Sequence, residues 1–159
     1  MNLFFLRHGL AGQRTDWHGS DFDRPLTEDG KLRMLREAAA IKKLKLDVEV
    51  IVTSPLVRAY QTAEIVAKKL KLLDRLFTEE LLKPGFGADT LKEVLRKYAD
   101  AHALLLVGHE PDFSTTISHI IGGGRVVCKK GGLAFVDLQQ PLDLKGELVW
   151  LIPPKLLGT

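Results

Sequence analysis

The sequence has 159 residues, which fit one domain spanning residues 1–159, because a single hydrophobic core can cover a chain of this length. Its 45% hydrophobic and 27% charged residues are typical of a globular protein and argue against disordered, fibrous and membrane classes. The net charge of +3 comes from 23 basic and 20 acidic residues, an excess too small to indicate a nucleic-acid partner.

The cysteine content and the N-terminal segment bear on the compartment. Cys128 is the only cysteine, so no intrachain disulfide can form and nothing calls for an oxidising environment. The apolar start, residues 3–6, is followed at once by Arg7 and is too short for a signal peptide or a membrane span. We therefore expect a cytoplasmic protein without a membrane partner.

Short apolar runs predict the strands. Residues 2–6, 48–52 and 104–107 are rich in Leu, Val, Ile and Phe, as is typical of strands buried on both faces of a sheet. Residues 133–138 and 147–152 are predicted as two further strands, joined by a turn into an antiparallel pair.

The first predicted helix begins after Thr27. This threonine is a suitable N-cap, and Glu28 and Asp29 supply an acidic first turn. An apolar stripe with helical spacing continues through Leu32, Leu35 and Ala39.

Three more helices are predicted further along the chain. Ser54-Pro55 is interpreted as the N-cap and first-turn proline of one helix, whose apolar positions then keep helical spacing as far as Leu70. Another begins at Asp89, and the last covers residues 111–121 before a run of three glycines. The alternation of strands and helices predicts an α/β three-layer sandwich, with a mostly parallel central sheet flanked by helices.

Polar residues follow three of the predicted strands. Ligands of open α/β sheets bind beyond the carboxyl ends of the strands, where this sequence places Arg7-His8, Ser54 with Arg58, and His109. Guanidinium groups match phosphate oxygens, and an imidazole can act as nucleophile or hydrogen-bond donor. Taken singly, such histidines and arginines more often have a structural or surface role, but their shared placement indicates a phosphate site.

Four segments in chain order resemble the histidine phosphatase superfamily, also called phosphoglycerate mutase-like. They are Leu6-Arg7-His8-Gly9, Arg24-Pro25-Leu26-Thr27 with Gly30, Thr53-Ser54-Pro55-Leu56 with Arg58-Ala59 and Gln61-Thr62-Ala63, and Val107-Gly108-His109-Glu110-Pro111. The short chain and the Arg-Pro-Leu-Thr segment are most similar to the SixA group of phosphohistidine phosphatases. The resemblance implies a phosphoglycerate mutase-like fold and a metal-independent phosphatase without a cofactor, acting on a phosphohistidine-bearing protein or a small phosphorylated substrate.

The resemblance also implies roles for individual residues. His8 is expected to become transiently phosphorylated, while Arg7, Arg58 and His109 hold the phosphoryl oxygens. Because the nucleophile must be unprotonated, we expect activity to fall at acid pH, and a rate unchanged well below neutrality would argue against His8. Ser54 is expected to contact the substrate.

Arg24 lies at the end of a long polar loop over residues 10–25, and loops of this length are often functional. We expect this arginine to contact the substrate. An ion pair with Asp21 or Asp23 is the alternative interpretation.

One segment departs from the family pattern. Mutase-like relatives carry an acidic residue after the third strand, in a Leu-x-Glu segment, where this sequence has Leu82-Lys83-Pro84. Proline cannot protonate an alkoxide leaving group, which favours a phosphorus–nitrogen bond as the one that is broken. Other candidate acids remain open, namely Asp16, Asp23, Glu80, Asp89 and Glu110. The rival hypotheses are a broad phosphomonoesterase or mutase for small metabolites, and a phosphate-binding module without turnover.

Overall fold

The computed structural model describes residues 1–157, so the last two residues of the predicted domain lie outside the described part of the chain. The strands are β1 (Asn2–Arg7), β2 (Val50–Thr53), β3 (Leu76–Thr78), β4 (Ala103–Gly108), β5 (Leu133–Gln140) and β6 (Lys145–Ile152). The helices are α1 (Glu28–Lys43), α2 (Val57–Leu70), α3 (Ala88–Lys97), α4 (Asp112–Ile120) and α5 (Pro154–Leu157).

The strands form one sheet in the order β3-β2-β4-β1-β5-β6. The pairs β1–β4, β2–β4 and β2–β3 are parallel, whereas β5 runs antiparallel to both β1 and β6. Alternate residues of β1 enter different cores: Phe5 belongs to the core that α3 and α4 cover, and Phe4 to the core that α1 and α2 cover. The predicted α/β sandwich with a mostly parallel sheet is confirmed.

The edge strand β3 was not predicted from the apolar pattern. It has three residues, and Phe77 and Thr78 are exposed, so this strand lacks the buried apolar run that marks the central strands. The antiparallel pair is confirmed, with β5 and β6 each somewhat longer than predicted.

The N-cap of α1 and the helix itself are confirmed, but the apolar stripe noted in the sequence is not its buried face. The Thr27 side chain accepts a hydrogen bond from the Gly30 amide, as a helix cap should. Leu32 and Leu35 are nevertheless 58% and 55% exposed, and the buried apolar face is made by Met34, Ala38 and Ile41. Both stripes have helical spacing, so only packing against the sheet and α2 selects between them.

Ser54-Pro55 does not begin α2. This helix begins at Val57, preceded by Leu56, because the Ser54 amide still donates to the Val107 carbonyl of β4 at 2.9 Å. Ser54 therefore continues the path of β2, and its Oγ accepts a hydrogen bond from the Leu56 amide at 3.3 Å. The remaining apolar spacing predicted for α2, through Ala59, Ala63 and Val66, is confirmed by their full burial.

Glu37 of α1 is a buried carboxyl that predicts an unusual pH dependence of stability. Only 4% of the residue is exposed, its Oε2 has no hydrogen-bond partner within residues 1–157, and burial raises its pKa from 4.5 to about 7. The folded state thus binds a proton more tightly than the unfolded state, so this group stabilises the fold below about pH 4.5 and loses that contribution as the pH rises through about 7.

We therefore expect Glu37→Gln to raise the free energy of unfolding by about 1 to 3 kcal/mol at about pH 8, where the native carboxylate is charged. Urea unfolding at that pH measures the change. Glu93→Gln, on an exposed position of α3, is the control and should change stability little. A Glu37→Gln protein no more stable than the native chain would contradict the prediction.

Candidate active site

The carboxyl ends of three adjacent parallel strands meet at one edge of the sheet. Arg7 of β1 pairs in register with Gly108 of β4, and Thr53 of β2 pairs with Val107. The residues that follow these strands therefore converge as predicted. They open on a pocket of about 580 Å³, lined by Arg7, His8, Gly12, Gln13, Arg14, Asp21, Arg24, Arg58, Pro84, His109, Glu110 and Lys130.

His8 lies at the base of this pocket and is only 5% exposed. Its Nδ1 is 2.8 Å from the Gly9 carbonyl oxygen, and since a carbonyl only accepts, Nδ1 must be the protonated nitrogen. The other ring nitrogen, Nε2, therefore carries a lone pair and is an acceptor. The Arg58 Nε donates to it across 3.3 Å. This is the tautomer that a nucleophilic Nε2 requires.

Burial keeps the His8 ring neutral. Desolvation, together with the positive charges of Arg58 and Arg7, lowers the pKa of His8 from 6.5 to about 3. Desolvation likewise lowers the pKa of His109 to about 4. The expected fall of activity at acid pH should therefore begin at a lower pH than an ordinary imidazole would give, because His8 is buried among cations.

The titration of these two rings is directly measurable. We expect NMR titration to show His8 and His109 unprotonated down to about pH 5, and kcat/KM to stay level over that range before falling. The exposed ring of His119 provides an internal reference signal in the same spectra. A His8 ring that titrates near pH 6.5 would contradict the described environment.

Arg58 is held by a residue that the sequence did not mark as part of the site. Its Nη1 donates to the Asp21 carbonyl oxygen at 2.7 Å, and its Nη2 donates to Asp21 Oδ2 at 3.0 Å. Asp21 lies in a short 3₁₀ turn, Asp21–Asp23, of the long loop between β1 and α1. In the sequence Asp21 appeared only as a possible partner of Arg24, three residues away.

Arg24 forms that ion pair and also lines the pocket. Its Nε donates to Asp21 Oδ1 at 3.0 Å, and its Nη1 donates to the carbonyl oxygens of Ala11 and Gly12. The alternative of an ion pair with Asp21 is thus the one observed, while the pocket position leaves Arg24 close to where a substrate would bind.

Ser54 lies behind His109 and not in the pocket wall, contrary to the predicted substrate contact. It is fully buried, and its Oγ is 2.7 Å from His109 Nε2. This hydroxyl accepts from the Leu56 amide and has one hydrogen that it can donate to His109 Nε2. In the tautomer that accepts this hydrogen, the ring proton is on Nδ1. His109 Nδ1 is buried and has no partner within residues 1–157. In that tautomer His109 has a spare donor beside the His8 ring, 5.3 Å away between centroids.

Arg7 is anchored by the segment that precedes β5. Its Nη1 donates to the Cys128 carbonyl oxygen at 3.0 Å, and its Nε is buried without a partner in the described part of the chain. Such an unpaired donor on a cation is costly unless an anion is bound. Arg7 and Arg58 thus both retain donors for an oxyanion above His8.

The pocket contains no carboxyl free to act as an obvious acid. Pro84 lines the wall where the family pattern places an acid, and of the five candidate carboxylates only Glu110 reaches the pocket. Glu110 accepts hydrogen bonds from the amide and the hydroxyl of Ser114, so it caps the start of α4. Asp21, the other acidic residue of the wall, is occupied by Arg24 and Arg58.

Two further features concern metals and membranes. Within residues 1–157 no three His, Cys, Asp or Glu side chains are grouped closely enough to hold a metal ion. None of the helices in the same residues is both long and apolar enough to cross a membrane.

The fold and the pocket agree with the family that the sequence matches. The model of the histidine phosphatase superfamily (branch 1) matches residues 3–108, and the chain belongs to that superfamily. It is also 37% identical over 166 residues to an uncharacterized protein of Picosynechococcus sp., with 99% of each protein covered.

Solved structures add a nearer likeness. The protein histidine phosphatase SixA complexed with tungstate is similar, with a TM-score of 0.87, 26% identity and 99% of each chain covered. The alpha-ribazole phosphatase from Shigella flexneri shares the fold, with a TM-score of 0.75, 17% identity and 97% of each chain covered. The resemblance to the superfamily and to SixA, inferred from four sequence segments, is confirmed.

Proposed function

We propose that this protein is a phosphohistidine phosphatase that removes the phosphoryl group from histidine side chains of other proteins, through a phosphorylated His8. One observation carries the proposal: a neutral, buried imidazole faces two arginines in a pocket that has proline where a general acid is expected. The similarity to a SixA protein histidine phosphatase supports the same substrate class.

In the first step, His8 Nε2 attacks the phosphorus in line with the leaving group. The phosphorus–nitrogen bond of the substrate breaks, and its electron pair returns to the substrate imidazole. A substrate ring that carries a proton on its other nitrogen leaves as a neutral molecule, so no proton has to be supplied. An alkoxide, in contrast, needs an acid, which Pro84 cannot be.

Pocket cations stabilise the transferring group. Arg58 Nε already points at His8 Nε2, the position at which the phosphoryl group would be attached. Arg7 Nε and His109 Nδ1 are donors without partners in residues 1–157, and phosphoryl oxygens would satisfy both. Preorganised donors of this kind stabilise the charge of the transition state.

In the second step, water attacks the phosphorus and the bond to His8 Nε2 breaks. The hydrogen bond from Nδ1 to the Gly9 carbonyl favours formation of the phosphoenzyme in the first step, because it stabilises the positive charge of the phosphorylated ring. It also keeps the proton on Nδ1, so His8 leaves as a neutral imidazole, ready for the next cycle.

A second candidate function is hydrolysis of small phosphomonoesters. The observation in its favour is Glu110, which lines the pocket and could donate a proton if it released Ser114. The likeness to alpha-ribazole phosphatase extends to the fold alone and does not decide between the two substrates.

The two functions are separated by phosphate release from a phosphohistidine protein and from simple phosphomonoesters, measured side by side with chelator present. We expect preferential turnover of the phosphohistidine protein. Preferential turnover of monoesters would overturn the proposal in favour of the second candidate. Hydrolysis of neither would favour a phosphate-binding module.

Pro84 allows a matched test of the missing acid. We expect Pro84→Glu to increase monoester hydrolysis about tenfold or more, since a positioned general acid contributes about 100-fold or more when well placed. Pro84→Gln, of similar size but without a proton to donate, should not increase it. Equal monoester rates for both variants and the native chain would indicate that the lack of an acid at this position does not limit the rate of monoester hydrolysis.

A further inference from the structure

We infer that Asp21 is a positioning residue, which fixes the guanidinium of Arg58 for phosphoryl transfer and competes with product phosphate for the pocket arginines. The inference rests on the proposed function for its link to turnover. Nothing in the sequence motifs assigned a role to this residue.

The contacts of Arg58 show how the orientation is set. Both of its terminal nitrogens end on Asp21, one on the backbone carbonyl oxygen and the other on the side-chain Oδ2. Nε points at His8 Nε2, and each terminal nitrogen keeps a second N–H. A guanidinium is planar and rigid, so two contacts at its far end fix the direction of the third donor.

The same carboxylate connects the loop to the pocket. Its Oδ1 accepts from Arg24 Nε at 3.0 Å, and Arg14 Nε lies 3.8 Å away. Arg24 in turn binds the carbonyl oxygens of Ala11 and Gly12. Asp21 thereby holds the loop between β1 and α1 against α2, and its own side chain is 25% exposed.

The competition of Asp21 with product phosphate follows from the charges that line the pocket. Five cationic residues line the pocket but only two carboxylates do, and Glu110 is bound to Ser114. These cations are Arg7, Arg14, Arg24, Arg58 and Lys130. Without the Asp21 carboxylate, Arg58 and Arg24 would be free to bind an oxyanion more tightly, which favours binding but retards product release.

The test compares Asp21→Asn with the native chain by two readouts. We expect kcat on the phosphohistidine protein to fall by about 10- to 100-fold, because Arg58 loses its fixed orientation. We also expect tungstate, measured by calorimetry, to bind about tenfold more tightly, because a competing charge is removed. A merely structural role would weaken both.

Asp23→Asn is the matched control, since Asp23 lies in the same 3₁₀ turn, is exposed and is not part of the pocket wall. It should leave both values near native. Asp21→Glu keeps the charge but moves it, so kcat should fall while tungstate affinity stays near native. This variant also serves if Asp21→Asn does not fold.

Unchanged or weaker tungstate binding by folded Asp21→Asn would overturn the inference. So would native kcat in both Asp21 variants, or an equal effect of Asp23→Asn. The tungstate measurement needs no turnover. It therefore tests this inference independently of the substrate. Failure of the proposed substrate is detected separately, by the rates of the native chain on the phosphohistidine protein and on monoesters.

Discussion

Replacing His8 with asparagine should lower phosphate release from a phosphohistidine protein by at least about 1000-fold, since the variant has no nucleophile to form the covalent intermediate. The remaining pocket, with Arg7 and Arg58, should still bind the oxyanion, so loss of kcat should exceed any rise in KM. Stopped-time phosphate assays at saturating substrate measure this loss.

The control for this variant is His119→Asn, which removes an exposed imidazole from α4 and should retain native rates. Thermal unfolding of both variants checks that the fold is kept. A folded His8→Asn protein that retains more than about a hundredth of the native rate would contradict nucleophilic catalysis by His8.

Replacing Arg58 with lysine should lower kcat/KM by about 100- to 1000-fold although the charge is conserved. The native guanidinium reaches Asp21 with two nitrogens and His8 Nε2 with the third. A lysine ammonium is a single point and cannot make these contacts together. Initial rates at low substrate concentration measure the change.

Arg33→Lys is the matched substitution away from the pocket, at an exposed position that pairs with Asp29 at 2.8 Å. Its effect on kcat/KM should be within about twofold, because exposed ion pairs contribute little. Near-native activity of Arg58→Lys would contradict the prediction. It would show that a positive charge at position 58 is sufficient and that the fixed guanidinium is not required.

The elements that position the site could be predicted because their signals are local. Central strands such as β1 and β4 are continuous apolar runs, and Arg7, His8 and His109 follow them directly in the sequence. Once these strands are parallel neighbours, their carboxyl ends must share an edge. No long-range information beyond the strand order was needed to bring the two histidines together.

Features set by packing between distant segments were not predictable. Two stripes of α1 have equal helical spacing, and contact with the sheet and α2 decides that Met34 is buried while Leu32 is exposed. Ser54 follows the usual cap pattern, yet its hydrogen bonds to β4 and His109 prevent a helix from beginning there. Asp21 lies in an irregular loop, where no periodicity reveals which side chain reaches Arg58.

The electrostatics of the nucleophile also depend on the fold. From the sequence alone, a histidine is assigned the ordinary imidazole pKa. In the folded chain, the desolvation of His8 among cations lowers its pKa to about 3. The same burial supplies a nucleophile that is neutral at physiological pH without a neighbouring base.

The most direct test of the account is to locate the phosphoryl group on the enzyme during turnover. The native chain would be mixed with a phosphohistidine protein, quenched in alkali, which preserves phosphoramidates, and mapped by peptide mass spectrometry. The account predicts a transient phosphoryl group on His8, absent from His8→Asn. A phosphoryl group on another residue, or steady turnover with no phosphorylated enzyme at any time, would contradict it.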